Sequence, residues 1–217
     1  IIDKHQSLYV IEVNSLLNKI HLFGFHFANL DIRQDSRKHA QYFNDMVNVC
    51  IESGSEIFPK NYHELSEIEQ IQILSKVQGE VDLSLIKDEE TLKALKTMKA
   101  IKTIQTTNGE VAANRYIISN NQTTLHVMQL FAMLKLVAFQ DKLSVDIGPL
   151  FETITDLENA PQVMEDLYTN PEYIAHLKSR GNKQTIMLGF SDGTKDGGYL
   201  MANWAIYNAK ERLTAVS

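Results

Sequence analysis

The stretch that decides the fold is KQTIMLGFSDGTKDGGYLMANWAIYNAKER, residues 183–212. Its short apolar run, residues 185–190, has the length and composition of a buried strand. A polar, glycine-rich segment at residues 191–198 predicts a turn, and apolar residues near 3.6-residue spacing then predict a helix. Strand, turn and helix in this order are typical of α/β proteins, in which ligands bind at the carboxyl ends of parallel strands.

The rest of the chain repeats this alternation. Strands are predicted at residues 25–32, 115–119, 144–151 and 185–190, with helices between them. Residues 33–35 are predicted as a turn, and Ser36 as the N-cap of the next helix. Pro161 is predicted in the first turn of a helix at residues 162–168. Four strands alternating with helices imply a parallel sheet with right-handed crossovers. We therefore predict an α/β fold of high helix content, either half of an eight-stranded barrel or a small open sheet, with large helical insertions.

Composition narrows the class of protein. The chain has 217 residues, of which 44% are hydrophobic and 22% charged, as is ordinary for a globular domain. A nucleic-acid-binding protein usually presents a basic face, so the net charge of −6 argues against nucleic acid as a partner. No apolar segment reaches the roughly 18 residues of a membrane-spanning helix. Cys50 is the single cysteine, which suits a reducing compartment, and we predict a cytoplasmic location with no membrane partner.

The ends of the sequence predict a fragment. Position 1 is not Met, and the sequence stops directly behind a predicted helix. We expect residues 1–217 to be a single partial barrel domain of a longer polypeptide. An open half barrel would expose strand edges and an apolar face, so we expect association, and a homo-oligomer for the full-length protein.

Three of the four predicted strands are followed by groups that suit a metal or phosphate site. These groups are Asp31 and Arg33 at the first strand, Glu152 at the third, and Asp192, Lys195 and Asp196 at the fourth. Two carboxylates at neighbouring strand ends can hold a hard divalent cation, and an arginine offers a bidentate fork to a phosphate or carboxylate. The alternative, that each is only a turn or capping residue, stays open from the residues themselves.

A nucleophile elbow is a competing interpretation of the same turn. Residues 189–193, GFSDG, match G-x-S-x-G between a predicted strand and a helix. An α/β-hydrolase places its acid and then its His after the nucleophile, and no His follows Ser191 in this sequence. The hydrolase interpretation is therefore disfavoured.

Three motifs resemble segments of phosphoenolpyruvate carboxylases. LDIRQDS at residues 30–36 is similar to LD(I/V)RQ(E/D)S, and PLFETITDL at residues 149–157 is similar to PLFET-x-x-DL. GFSDGTKDGG at residues 189–198 resembles GYSDS-x-KD(A/G)G, although Gly193-Thr194 replaces the commoner Ser-Ala. The motifs occur in the family's order and at near-family spacing, whereas residues 52–112 match weakly.

The resemblance implies a (β/α)₈ barrel enzyme, a carbon-fixing lyase that joins phosphoenolpyruvate and bicarbonate into oxaloacetate and phosphate. It implies that Glu152 and Asp192 hold Mg²⁺ or Mn²⁺. Arg33 would bind the phosphate or carboxylate end of phosphoenolpyruvate, and Lys195 would act at the rim of the site. The family's catalytic His, its arginine-bearing glycine-rich loop and its earlier His segment fall outside the sequence, so we expect the fragment alone to lack carboxylase activity.

Two further hypotheses remain open. One is a carboxylase-like domain retained as a metabolite-binding or regulatory module without catalysis. The other is an unrelated metal-dependent α/β enzyme that acts on phosphoesters. Flanking sequence with both the His segment and the arginine loop would favour the carboxylase, and all three hypotheses share the predicted metal site.

Overall fold

Four parallel strands form the sheet in the computed structural model, which describes residues 4–217. Their order across the sheet follows the chain, and every neighbouring pair is parallel. The strands are β1 (Asp31–Asp35), β2 (Arg115–Ser119), β3 (Asp146–Phe151) and β4 (Met187–Leu188). The predicted α/β class with four parallel strands is confirmed, and the sheet does not close into a barrel.

Eight α-helices account for most of residues 4–217. They are α1 (Val10–Phe23), α2 (Ser36–Glu52), α3 (Glu67–Lys76), α4 (Glu89–Asn108), α5 (Thr124–Val137), α6 (Ile154–Thr169), α7 (Pro171–Ser179) and α8 (Ser191–Val216). The connection from β1 to β2 contains α2, α3 and α4, which is the large helical insertion that the sequence predicts. Among residues 4–217, no helix is both long enough and apolar enough to cross a membrane.

The two faces of the sheet have different surroundings. Side chains alternate along a strand, so Tyr116, Ile118 and Phe151 lie on one face of the sheet. They belong to the main hydrophobic core, which also contains most of the buried side chains of α5. The opposite face carries Arg33, which is in register with Ile117 of β2, itself in register with Gly148 of β3. Arg33 therefore lies on the face opposite the main core, from which its side chain reaches Glu152 directly after β3.

The first strand lies later in the sequence than predicted. Residues 25–28 form turns and bends, with Phe27 at a φ of 62°, and β1 begins at Asp31. The prediction followed the apolar residues, but pairing with β2 fixes this strand. Arg33 is consequently a strand residue and not part of a turn. Asp35, not Ser36, caps α2, because its carboxylate accepts a hydrogen bond from the backbone N–H of Arg37 at 2.9 Å.

Two other boundaries also differ from the sequence prediction. Helix α6 begins at Ile154 because Thr153 and Asp156 form a capping box, so Pro161 lies inside the helix instead of in its first turn. The predicted turn at residues 191–198 is helical from Ser191, and only Gly198, at a φ of 80° and a ψ of 167°, interrupts α8. A strand of two residues, a two-residue connection and then a helix replace the predicted strand and glycine-rich turn.

Apolar side chains are exposed at both ends of the described chain. Helix α1 buries none of its residues, and the side chain of Ile11 is 78% exposed. On α8, Leu200 is 82% exposed and Trp204 is 56% exposed. These exposed apolar side chains lie on helices, and the exposed strand edges and association expected of an open half barrel stay a prediction.

Candidate functional site

Glu152 is at the centre of the candidate site. It directly follows β3 and precedes Thr153, the N-cap of α6. Its Oε1 accepts a hydrogen bond from Nη2 of Arg33 at 3.2 Å, and its Oε2 accepts one from the backbone N–H of Asn120 at 2.6 Å. The side chain of Glu152 is 14% exposed and that of Arg33 is 53% exposed. The carboxylate is therefore held on both oxygens, whereas much of the guanidinium stays accessible.

Asp192 and Lys195 lie on the first turn of α8. Nζ of Lys195 donates to Oδ1 of Asp192 at 2.9 Å, and both side chains are exposed. This hydrogen bond is the main reason why the pKa of Asp192 lies below its ordinary value, and the positive charge of Arg33 lowers that pKa further. The start of α8, which carries Asp192, packs directly against Glu152, because a Cβ on Gly193 would lie 3.3 Å from the carbonyl oxygen of Glu152.

Asp196 has a structural contact instead of facing this pair of carboxyl groups. Its Oδ2 accepts a hydrogen bond from the backbone N–H of Ile154 at 3.0 Å, which satisfies a free N–H in the first turn of α6. Because Asp192 and Asp196 are one helical turn apart, this contact fixes the start of α8 against the start of α6. The start of α8, which carries Asp192, is therefore held against the start of α6, which follows Glu152.

Three glycines spaced four residues apart allow this close contact. A Cβ on Gly189 would lie 3.1 Å from Cα of Glu152, and one on Gly193 would lie 3.3 Å from its backbone carbonyl oxygen. A Cβ on Gly197 would lie 2.8 Å from Cγ1 of Ile154. The glycine-rich composition that predicted a turn instead produces a helix start that packs directly on residues 152–154.

Asp31 lies away from the other candidates. It is the first residue of β1, where its carboxylate is 3.3 Å from Nη1 of Arg115, the first residue of β2. Glu152 follows the last residue of β3, at the carboxyl ends of the parallel strands, so Asp31 lies at their opposite, amino-terminal ends. The structure brings together Arg33, Glu152, Asp192 and Lys195, and the prediction that Asp31 shares their rim is wrong because β1 begins at Asp31.

Sequence reasoning missed the contribution of Asn120 and Ser36. Asn120, directly behind β2, has a φ of 53° and presents its N–H to Glu152. Its carbonyl oxygen accepts a hydrogen bond from the hydroxyl of Ser36 at 2.6 Å. The Asn-Asn pair after the strand does indicate a turn, because asparagine tolerates a positive φ, but nothing in the sequence connects that turn to Glu152.

The chemistry of the donor set fits a hard divalent cation. Mg²⁺ in proteins is usually held by one or two carboxylates, and water or substrate oxygens complete its six ligands. Glu152 and Asp192 supply two adjacent carboxyl groups that would repel each other when both are ionised, and a cation between them relieves that repulsion. Among residues 4–217 no group of three or more His, Cys, Asp and Glu side chains is placed to hold a metal, so a cation here would depend on these two residues.

Comparison with known proteins identifies related sequences. A family model described as phosphoenolpyruvate carboxylase matches residues 2–217. The chain is 34% identical to the phosphoenolpyruvate carboxylase of Nitrosomonas eutropha, over 99% of this chain and 24% of the relative. Identity is 33% to that of a Synechococcus species, over 99% and 21%, and 36% to that of Nitrosomonas europaea, over 90% and 21%. The chain thus spans between 21% and 24% of the length of these relatives.

Proposed function

Because this chain belongs to the phosphoenolpyruvate carboxylase family, we propose that it forms the metal-holding part of an active site that carboxylates phosphoenolpyruvate. In this proposal residues 1–217 are one part of a single barrel domain in a longer polypeptide. That polypeptide converts phosphoenolpyruvate and bicarbonate into oxaloacetate and phosphate. It is cytoplasmic and forms a homo-oligomer.

The observation that carries the proposal is the contact between Arg33 and Glu152, with Asp192 beside them. Arg33 lies on β1, Glu152 follows β3 and Asp192 opens the helix after β4, so three different elements contribute to one rim. Groups from several strand ends that meet at the carboxyl edge of a parallel sheet are typical of barrel active sites. A capping or turn role for each residue separately does not require them to meet.

Each residue has a role that follows from its surroundings. Glu152 and Asp192 would hold Mg²⁺ or Mn²⁺, which when bound supplies a positive charge that stabilises negative charge on oxygen. Arg33 uses one Nη on Glu152 and, with its side chain half exposed, directs its remaining N–H groups to the phosphate or carboxylate of phosphoenolpyruvate. Lys195 keeps Asp192 ionised and adds positive charge at the same rim.

These positive charges suit the reaction. An oxygen of bicarbonate attacks the phosphorus and the bond to the enol oxygen breaks, which gives carboxyphosphate and the enolate of pyruvate. The carboxyl group then passes to the enolate carbon, and phosphate leaves. Both intermediates carry more negative charge on oxygen than neutral surroundings would tolerate, so fixed cations lower the barrier.

The direct test is Mn²⁺ binding to the full-length polypeptide that contains this chain. We expect Glu152→Gln and Asp192→Asn each to weaken binding by at least about tenfold, which corresponds to about 1.4 kcal/mol. Asp31→Asn is the matched control, because it removes a carboxylate at the amino-terminal ends of the strands. This variant should bind Mn²⁺ as the wild type does. Unchanged binding in both Glu152→Gln and Asp192→Asn would refute the metal assignment.

Activity measurements separate the proposed enzyme from a binding module. The full-length polypeptide should form oxaloacetate from phosphoenolpyruvate, bicarbonate and Mg²⁺, whereas residues 1–217 alone should not. Turnover by the isolated chain would contradict the second expectation. Capture of phosphoenolpyruvate without turnover by the full-length polypeptide would favour the module.

A further inference from the structure

We propose that Ser36 is a positioning residue for the Glu152 carboxylate. Its side chain is fully buried, and its hydroxyl donates to the carbonyl oxygen of Asn120 at 2.6 Å. The backbone N–H of the same Asn120 donates to Oε2 of Glu152 at 2.6 Å. One residue thus connects the start of α2 with the candidate metal ligand. The inference rests on the proposed function, in which Glu152 holds the metal.

Asn120 needs this support because of its backbone conformation. Its φ of 53° lies in the left-handed region, which asparagine tolerates better than most residues but still adopts at a cost relative to glycine. In that conformation the N–H of Asn120 faces Glu152, and the next N–H, of Asn121, donates to the carbonyl oxygen of Leu150 at 3.0 Å. The hydrogen bond from Ser36 holds the third polar group of this turn. A turn that lost this bond would be freer to leave the left-handed conformation and withdraw its N–H.

The same segment of sequence controls both oxygens of Glu152. Arg33 and Ser36 are three residues apart at the junction of β1 and α2. Arg33 donates directly to Oε1, whereas Ser36 acts on Oε2 through the turn at Asn120. Fixing both oxygens leaves the carboxylate in one orientation before a cation arrives, which lowers the cost of ordering it on binding. The serine of the LDIRQDS motif therefore has a role other than capping α2, which Asp35 performs.

The test is Mn²⁺ affinity measured beside thermal stability in the full-length polypeptide. Ser36→Ala should weaken Mn²⁺ binding by about tenfold, in the range of changes made behind a metal ligand. Ser36→Cys keeps the size of the side chain but is a weaker donor, so it should fold and show a smaller loss of affinity. Ser75→Ala is the matched control. Ser75 is also buried, and its hydroxyl donates to the carbonyl oxygen of Ile71 at 2.7 Å on α3, so its loss should lower stability without changing Mn²⁺ affinity.

A second pair of variants tests the turn itself. Asn120→Gly allows a positive φ and keeps the backbone N–H that donates to Glu152. Asn120→Ala disfavours that φ and should bind more weakly than Asn120→Gly. Wild-type Mn²⁺ affinity in both Ser36→Ala and Ser36→Cys would overturn the inference, provided that Glu152→Gln weakens binding in the same assay. Wild-type affinity in Glu152→Gln would instead overturn the metal assignment of the proposed function.

Discussion

Replacing Gly189 by alanine tests the spacing of the site without touching a charged group. The new Cβ would lie 3.1 Å from Cα of Glu152, 3.2 Å from its Cγ and 3.3 Å from the carbonyl oxygen of Phe151. Two of these three atoms belong to the backbone, so they cannot move aside as the end of a flexible side chain can. To restore ordinary contacts, which begin at 3.4 Å, the end of β4 has to move by at least 0.3 Å from Glu152.

The displacement is transmitted to Asp192, three residues further along. The backbone N–H of Gly189 donates to the carbonyl oxygen of Phe151 at 2.7 Å, so β4 and β3 resist separation at this point. A displacement of at least 0.3 Å uses up most of the roughly 0.5 Å within which a functional site has to hold its groups. We expect Gly189→Ala to weaken Mn²⁺ binding by about tenfold and to cost about 1–3 kcal/mol of stability, as overpacked sites do.

Isothermal titration with Mn²⁺, together with a thermal unfolding curve, measures both effects in the full-length polypeptide. Gly181→Ala provides the matched control, because its Cβ would meet nothing within 4 Å but its φ of +77° strains an alanine. This control should lose about 1–2 kcal/mol of stability and keep the Mn²⁺ affinity of the wild type. The reasoning fails if folded Gly189→Ala binds Mn²⁺ as tightly as Gly181→Ala does.

Two other predictions follow from contacts around the site and in the core. Asp196→Asn should preserve the position of α8, because its amide oxygen can still accept a hydrogen bond from the N–H of Ile154. Asp196→Ala removes this acceptor and should weaken Mn²⁺ binding several-fold. Equal Mn²⁺ affinities in a direct titration of the two variants would contradict this prediction. Burial, together with the charge of Arg180, lowers the pKa of His176 to about 4. The unfolded chain therefore binds a proton at a higher pH than the native chain does. The free energy of unfolding falls as the pH drops from about 6.5 to about 4, by on the order of 3 kcal/mol. His176→Phe should therefore lose less melting temperature than the wild type between pH 7 and pH 5, and parallel losses would show that His176 is not responsible.

The strand pattern could be predicted from the sequence wherever strands are apolar and buried. The prediction of β2 at residues 115–119 agrees with the structure at both ends, because RYIIS combines β-branched and aromatic residues with clear flanking turns. The prediction of β1 was displaced because DIRQD is polar, and only its pairing with β2 makes it a strand. Local propensity contains no information about such pairing.

The candidate site was predictable in its residues but not in its supports. Arg33, Glu152 and Asp192 could be selected from the sequence because each is a charged residue at or near a strand end, and the structure brings them together. Asp31 was wrongly included because its position depended on where β1 begins. The N–H of Asn120 could not be predicted, since backbone groups carry no sequence signal and its link to Glu152 joins residues 32 positions apart.

Glycine at positions 189, 193 and 197 explains why a segment that predicts a flexible turn can serve as a rigid part of the site. A glycine in a helix usually costs about 1 kcal/mol relative to alanine, so two glycines within the first turns of α8 weaken that helix on its own. The cost is offset by packing, because the missing Cβ atoms let α8 approach Glu152 and Ile154 at distances that a side chain would force apart. Asp196 then ties the two helix starts together, and Asp192 is held beside Glu152. Local helix stability is thus exchanged for close packing of the start of α8 on Glu152, which the proposed shared cation requires.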